Sequence, residues 1–195
     1  MTAAPLAERR ERQDVPVVNL PNALTLGRLL VVPFFAVLLL LGGASDGARL
    51  LAAGLFALAC LTDVIDGRLA RSRGQVTNFG IMADPIADKA LVGTALVSLS
   101  LLGMLPWWAT AVVLAREAAV TAMRSGLARH GMIPASRGGK LKALSQNTAV
   151  TLYLLPVGGL IADLRLPALL VAVAATVLTG LDYARQGVRL HAGAR

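Results

Sequence analysis

Six runs of about 20 mostly apolar residues follow one another along this chain, at residues 22–43, 48–68, 83–104, 106–127, 143–162 and 166–184. Each is long enough to cross the hydrocarbon core of a bilayer as an α-helix. The chain is 56% hydrophobic and 15% charged, whereas soluble domains carry about 25% charged residues. The expected fold is therefore all-α: one membrane domain over residues 19–190 with six transmembrane helices. Little chain is left for a soluble domain. Residues 1–18 are expected as an N-terminal segment, in which Ala4–Gln13 suits either a surface amphipathic helix or disorder.

The net charge of +8 invites a nucleic-acid reading, but the placement of the charge opposes it. Basic residues gather at the N-terminus (Arg9, Arg10, Arg12), between runs two and three (Arg68, Arg71, Arg73), between runs four and five (Arg124, Arg129, Arg137, Lys140, Lys142) and at the C-terminus (Arg185, Arg189, Arg195). The alternate loops hold only Arg49 and Arg165. That asymmetry follows the positive-inside rule and puts both termini in the cytoplasm. Trp107 and Trp108 fall in a short external loop, as interfacial aromatics do. The single Cys60 excludes an internal disulfide and reads as a packing residue. His130 and His191 receive no role. The start is polar and the first apolar run is long, so no cleavable signal peptide is expected.

Against this apolar background stand Asp63, Asp66, Asp84 and Asp88. An ionisable side chain in or at the end of a membrane helix is costly and so points to function. Asp63 and Asp66 are i, i+3, with Ala70 at i+7, and share one helix face. Asp84 and Asp88 are i, i+4, with Gly80 one turn earlier, and share another. The polar, glycine-containing segment between them reads as a turn. The two helices are then antiparallel neighbours, with the carboxylates gathered at their cytoplasmic ends around a polar cavity. Like charges so close raise one another's pKa values unless a cation intervenes. Carboxylate oxygens suit Mg²⁺ or Mn²⁺, and a metal pair is a common way to handle phosphate.

The run Asp-x2-Asp-Gly-x2-Ala-Arg-x8-Gly-x3-Asp-x3-Asp, residues 63–88, resembles the signature of the CDP-alcohol phosphotransferase family at every fixed position. The resemblance implies two divalent ions held by Asp63, Asp66 and Asp84, with Asp88 sharing one and also serving as catalytic base. It implies that Gly67, Ala70 and Arg71 bind the CDP diphosphate, while Gly67 and Gly80 read locally as letting backbone approach a phosphate. By local reading alone Gly67 and Gly80 also fit close helix packing, and Arg71 a charge anchor. Thr77 either bonds the nucleotide or caps the next helix. Asn22 and Thr25, in Asn19-Leu-Pro-Asn-Ala-Leu-Thr25, match the family's cytidine contacts; locally, Pro21 and Asn22 are helix-start signals, with Asn22 as a cap. Arg28, one turn deeper, is expected to face the polar cavity or pair with a carboxylate.

A second polar group comprises Arg116 and Glu117 in run four, Arg124 two turns on, and Ser136, Lys140 and Lys142 at the start of run five. Cations disfavour a helix N-terminus, and a bound anion removes the conflict. Arg116, Arg124, Ser136, Lys140 and Lys142 are thus the expected pocket for a phosphate on the acceptor. Residues 115–124 and 134–142 resemble the phosphatidylglycerophosphate synthase branch of the family, although Ala118 and Ala119 stand where bulkier residues are usual. That resemblance implies CDP-diacylglycerol and sn-glycerol 3-phosphate as substrates, a bacterial cell membrane location, lateral access for lipid tails and a homodimer. Inositol phosphate, phosphatidylglycerol or serine as acceptor is the alternative with the same chemistry. A membrane ion or phosphate transporter is the alternative from another class. The apolar outer halves of the runs, and the cytoplasmic position of the carboxylates, argue against it.

Overall fold

The structure is a computed structural model and describes residues 19–43, 45–72, 77–127 and 137–192. The elements among them are α1 (Leu20–Gly42), α2 (Asp46–Ser72), α3 (Asn78–Leu101), α4 (Trp107–Leu127), α5 (Arg137–Leu154), α6 (Gly159–Asp163) and α7 (Arg165–Ala192). No strand occurs among the described residues. Three stretches, Leu20–Gly42, Asp46–Arg68 and Gly159–Gln186, are long and apolar enough to cross a membrane. The other long helices, α3, α4 and α5, carry further charged side chains of the site described below, among them Asp84, Asp88, Glu117 and Lys142.

Local chemistry sets the helix starts. Asn19 caps α1: its side chain accepts from the Asn22 backbone N–H at 2.9 Å, and Pro21 sits in the first turn, where a missing N–H costs nothing. Asn22 is therefore not the cap expected from its type; it lies inside the first turn, and only Asn19 is three residues back from an unpaired N–H. Thr77 caps α3 in the same way. Trp107 and Trp108 begin α4 rather than filling a loop, and both stay about half exposed.

The fifth apolar run does not form one helix. It breaks after Leu154, passes Pro156 and Gly158, and restarts at Gly159, whose φ of +59° favours glycine. The carbonyls left open at the end of α5 are taken by two arginines. Arg49 of α2 donates to Tyr153 O (3.2 Å) and Leu155 O (3.1 Å). Arg165 donates to Leu152 O (3.0 Å), Leu155 O (2.7 Å) and Val157 O (2.9 Å). The two basic residues that break the charge asymmetry thus serve a local need, the unsatisfied C-terminal carbonyls.

Helix α1 packs on α2 and α3, α7 packs on α4 and α5, and α5 also touches α2 and α3. The core lies between them: Phe35, Leu39, Phe56, Leu91, Leu96, Leu99, Val113, Val150 and Leu154 are essentially inaccessible. Phe35 and Phe56 meet at 6.2 Å between centroids, tilted by 42°. The outward faces are apolar too, with Leu30, Leu41, Leu58 and Leu178 well exposed, as suits helices solvated by lipid.

Candidate active site

Helix α1 organises the carboxylates. Thr25 and Arg28 are i, i+3 and share a face; both are buried, at 1% and 3% exposure. Thr25 Oγ1 bonds Asp84 Oδ1 of α3 at 2.5 Å and lies 3.1 Å from Pro21 O. The Arg28 guanidinium forks across α2, with Nη1 on Asp63 Oδ1 and Nη2 on Asp66 Oδ2 at 2.5 Å. One face of α1 therefore ties together the two helices that carry the aspartates. The expectation that Arg28 meets a carboxylate holds, and it meets two. A planar fork with five donors suits such a role.

A second layer lies one turn toward the start of α1. Thr77 Oγ1 donates to Asn22 Oδ1 (3.0 Å) and accepts from the Gly80 N–H (3.0 Å). The capping role for Thr77 is thus realised. A Cβ on Gly80 would lie 2.9 Å from Asn22 Oδ1 and 3.4 Å from Thr77 Oγ1, so the absent side chain is what lets α1 and α3 close. Gly80→Ala is expected to lower stability by roughly 1–3 kcal/mol and to reduce activity. A melting temperature equal to wild type would show that Asn22 simply moves aside.

The four carboxylates differ in setting. Asp66 is buried, and its Oδ1 has no hydrogen-bond partner among the described residues. Asp63 is partly exposed and Asp88 exposed. Among the described residues no three acidic, histidine or cysteine side chains converge closely enough to share one ion; Asp63 and Asp66 turn to Arg28 and Asp84 to Thr25 instead. The donor set nonetheless fits a hard cation. It is all carboxylate oxygen, and the orphaned Asp66 Oδ1 is an acceptor in need of a positive partner.

The structure brings two residues of the second expected group, Arg116 and Lys142, together on Glu117 Oε1. Glu117 accepts from Lys142 Nζ and from Arg116 Nη1, the latter at 2.8 Å. Arg116 also donates to Thr179 Oγ1 (2.8 Å) and lies 5.8 Å from the Tyr183 ring centroid, both on α7. Adjacent residues do not face each other on a helix, yet Arg116 is long enough to curl back to Glu117 while reaching α7. Lys140 is exposed. The side chains of Ala70, Arg71 and Arg124, and the whole of Ser136, lie outside the described residues. Gly67 is partly exposed on α2. A small cavity between α3, α4 and α5 is lined by Asp88, Lys89, Glu117, Lys142, Gln146 and Asn147, among others. It brings Asp88 and Lys142 to one space, and neither Gln146 nor Asn147 stood out in the sequence. The signal was available only in outline: Gln146 follows Lys142 by one turn of an otherwise apolar face.

Residues 18–180 match the family model described as CDP-alcohol phosphatidyltransferase. A Mycobacterium tuberculosis protein named "Probable phosphatidylglycerophosphate synthase" is 47% identical over 180 residues, covering 92% of this chain and 86% of the relative. A Bacillus subtilis protein named CDP-diacylglycerol--glycerol-3-phosphate 3-phosphatidyltransferase is 40% identical over 182 residues, covering 85% and 93%. A Streptomyces coelicolor protein named cardiolipin synthase (CMP-forming) is 41% identical over 122 residues, covering 60% and 55%. With the family model spanning most of the chain and these relatives aligned along it, the chain belongs to the CDP-alcohol phosphatidyltransferase family.

Proposed function

We propose that this protein transfers the phosphatidyl group of CDP-diacylglycerol to sn-glycerol 3-phosphate, giving phosphatidylglycerophosphate and CMP. The observation that carries the reading is the meeting of Asp88, from the carboxylate array of α2 and α3, with Lys142 at one cavity. A general base and a phosphate-binding cation face the same space there. The relative named for glycerol 3-phosphate aligns over 85% of this chain, and the one named probable phosphatidylglycerophosphate synthase over 92%. The relative named cardiolipin synthase aligns over 60% of it.

In this reading the six long helices span a bacterial cell membrane, with both termini and the polar cavity on the cytoplasmic side. Residues 19–190 form the membrane domain, and the protein works as a homodimer. Asp63, Asp66 and Asp84 hold two divalent ions, Mg²⁺ or Mn²⁺, with Asp88 sharing one. When bound, such ions supply charge neutralisation for the diphosphate and the departing CMP.

The chain's own groups do the rest. Arg28 holds Asp63 and Asp66 in register, and Thr25 orients Asp84. Asn22, Thr77 and Gly80, with Gly67, Ala70 and Arg71 beyond, form the CDP-diacylglycerol side. Lys142, with Arg124, Ser136, Lys140 and Arg116 around it, receives the acceptor phosphate. Asp88 takes the proton of the C1 hydroxyl as its oxygen bonds to the phosphorus bearing diacylglycerol. The bond from that phosphorus to the CMP oxygen breaks. A carboxylate is a weak base near neutral pH, so the proton moves late, as attack proceeds.

The test is CMP release by detergent-purified protein with CDP-diacylglycerol and Mg²⁺. Glycerol 3-phosphate, inositol phosphate, phosphatidylglycerol and serine are offered separately. Release is expected with glycerol 3-phosphate alone, lost on chelation and restored by added metal. Release with a different acceptor overturns the acceptor assignment. Activity that survives chelation overturns the metal requirement.

A further inference from the structure

Gln146 is 4% exposed, yet its amide takes no hydrogen bond among the described residues. A primary amide carries two donors and a two-lone-pair acceptor, and at a cavity wall these are open to a polar ligand. Its neighbours on α5 do not provide for it: Ser145 Oγ bonds Lys142 O, and Asn147 O accepts from Thr151. Gln146 lines the cavity that Asp88, Glu117 and Lys142 also line. An unmet polar group at such a wall points to a polar ligand.

The placement says which part of a ligand. Lys142 and Gln146 are i, i+4, one above the other on α5. Asp88 of α3 and Gln146 line one cavity. Lys142 stands about 6 Å nearer the polar end. The cavity, of about 40 Å³, has room for two or three hydroxyl-sized groups at roughly 10–15 Å³ each. The hydroxyl-bearing end of a short polyol phosphate suits this layout, its hydroxyls toward Asp88 and Gln146 and its phosphate left outside the cavity toward Lys142.

We propose that Gln146 is a specificity-determining residue whose amide brackets the middle hydroxyl of the acceptor, donating to it and accepting from it. The inference rests on glycerol 3-phosphate being the acceptor. The C1 hydroxyl then faces Asp88, and the C2 hydroxyl is the one left for Gln146.

The experiment compares glycerol 3-phosphate with 3-hydroxypropyl phosphate, which lacks only the C2 hydroxyl. Both are offered to the wild-type protein and to Gln146→Leu. Wild type is expected to prefer glycerol 3-phosphate by at least about tenfold in kcat/KM. In Gln146→Leu the preference should collapse, with the loss falling on glycerol 3-phosphate and the KM for CDP-diacylglycerol unmoved. An undiminished preference in the variant, or equal losses with both acceptors, overturns the proposal. If Gln146→Leu fails to fold, Gln146→Ala is read in the same way. Equal use of both acceptors by wild type overturns the proposal without any variant. Wild-type CMP release with another acceptor and none with glycerol 3-phosphate instead overturns the acceptor reading, and this inference with it.

Discussion

Asp88→Asn is expected to lower kcat for CMP release by about 10²–10⁴-fold, with the KM for CDP-diacylglycerol nearly unchanged. The amide keeps the shape of the carboxylate but does not take up a proton near neutral pH. Asp88 is suited to the base role by what it lacks. Asp63 and Asp66 are engaged by Arg28 and Asp84 by Thr25, whereas Asp88 has no ion pair among the described residues. Lys142, beside it at the cavity, pairs with Glu117 instead. Asp88, an exposed residue at the cavity, is therefore open to a substrate hydroxyl. Asp88→Glu, which restores the carboxylate one methylene further out, should recover part of the rate. Near-normal turnover in Asp88→Asn removes Asp88 from the chemistry and leaves it as a charge on the cavity wall.

Arg28→Met should be the most destabilising single change in the site, by roughly 3–5 kcal/mol. Methionine replaces the length of the side chain but leaves Asp66, 2% exposed, without its cation. Removing one partner of a buried ion pair costs more than the pair contributes, because the other charge stays buried and uncompensated. The loss should appear as a lower melting temperature in detergent, measured with chelator present so that added metal does not substitute for the guanidinium. Adding Asp66→Asn to Arg28→Met should recover part of the stability, since the unpaired charge is then gone. If Arg28→Met melts within a degree of wild type, the α1–α2 link is incidental and the carboxylates are placed by packing alone.

The sequence carried the outline of the site because helical spacing is a local property. The i, i+3 and i, i+4 intervals of Asp63, Asp66, Asp84 and Asp88 put each pair on one face whatever surrounds them. Arg28 was visible as a charge in an apolar run, and one that needed a partner. Which partner it took was not visible, because Asp63 and Asp66 lie 35 and 38 residues away. The α7 partner of Arg116 was hidden for the same reason: Thr179 is 63 residues on. Local signals misled in two places. Asn22 looked like a cap when Asn19 was one, and run five looked continuous when Pro156 and Gly159 broke it.

By itself the sequence determined that the chain is helical and apolar and that its carboxylates fall in two pairs, each on one helix face. Those properties depend on hydropathy and on a 3.6-residue period, both of which are written in neighbouring residues. Only the tertiary structure decided that α1 joins the pairs through Thr25 and Arg28. It also decided that Glu117 holds Lys142 and that Gln146, without a hydrogen-bond partner among the described residues, lines one cavity with Asp88. Those are contacts between helices, fixed by packing and by the cost of leaving a buried polar group unpaired, and no interval along one helix encodes them.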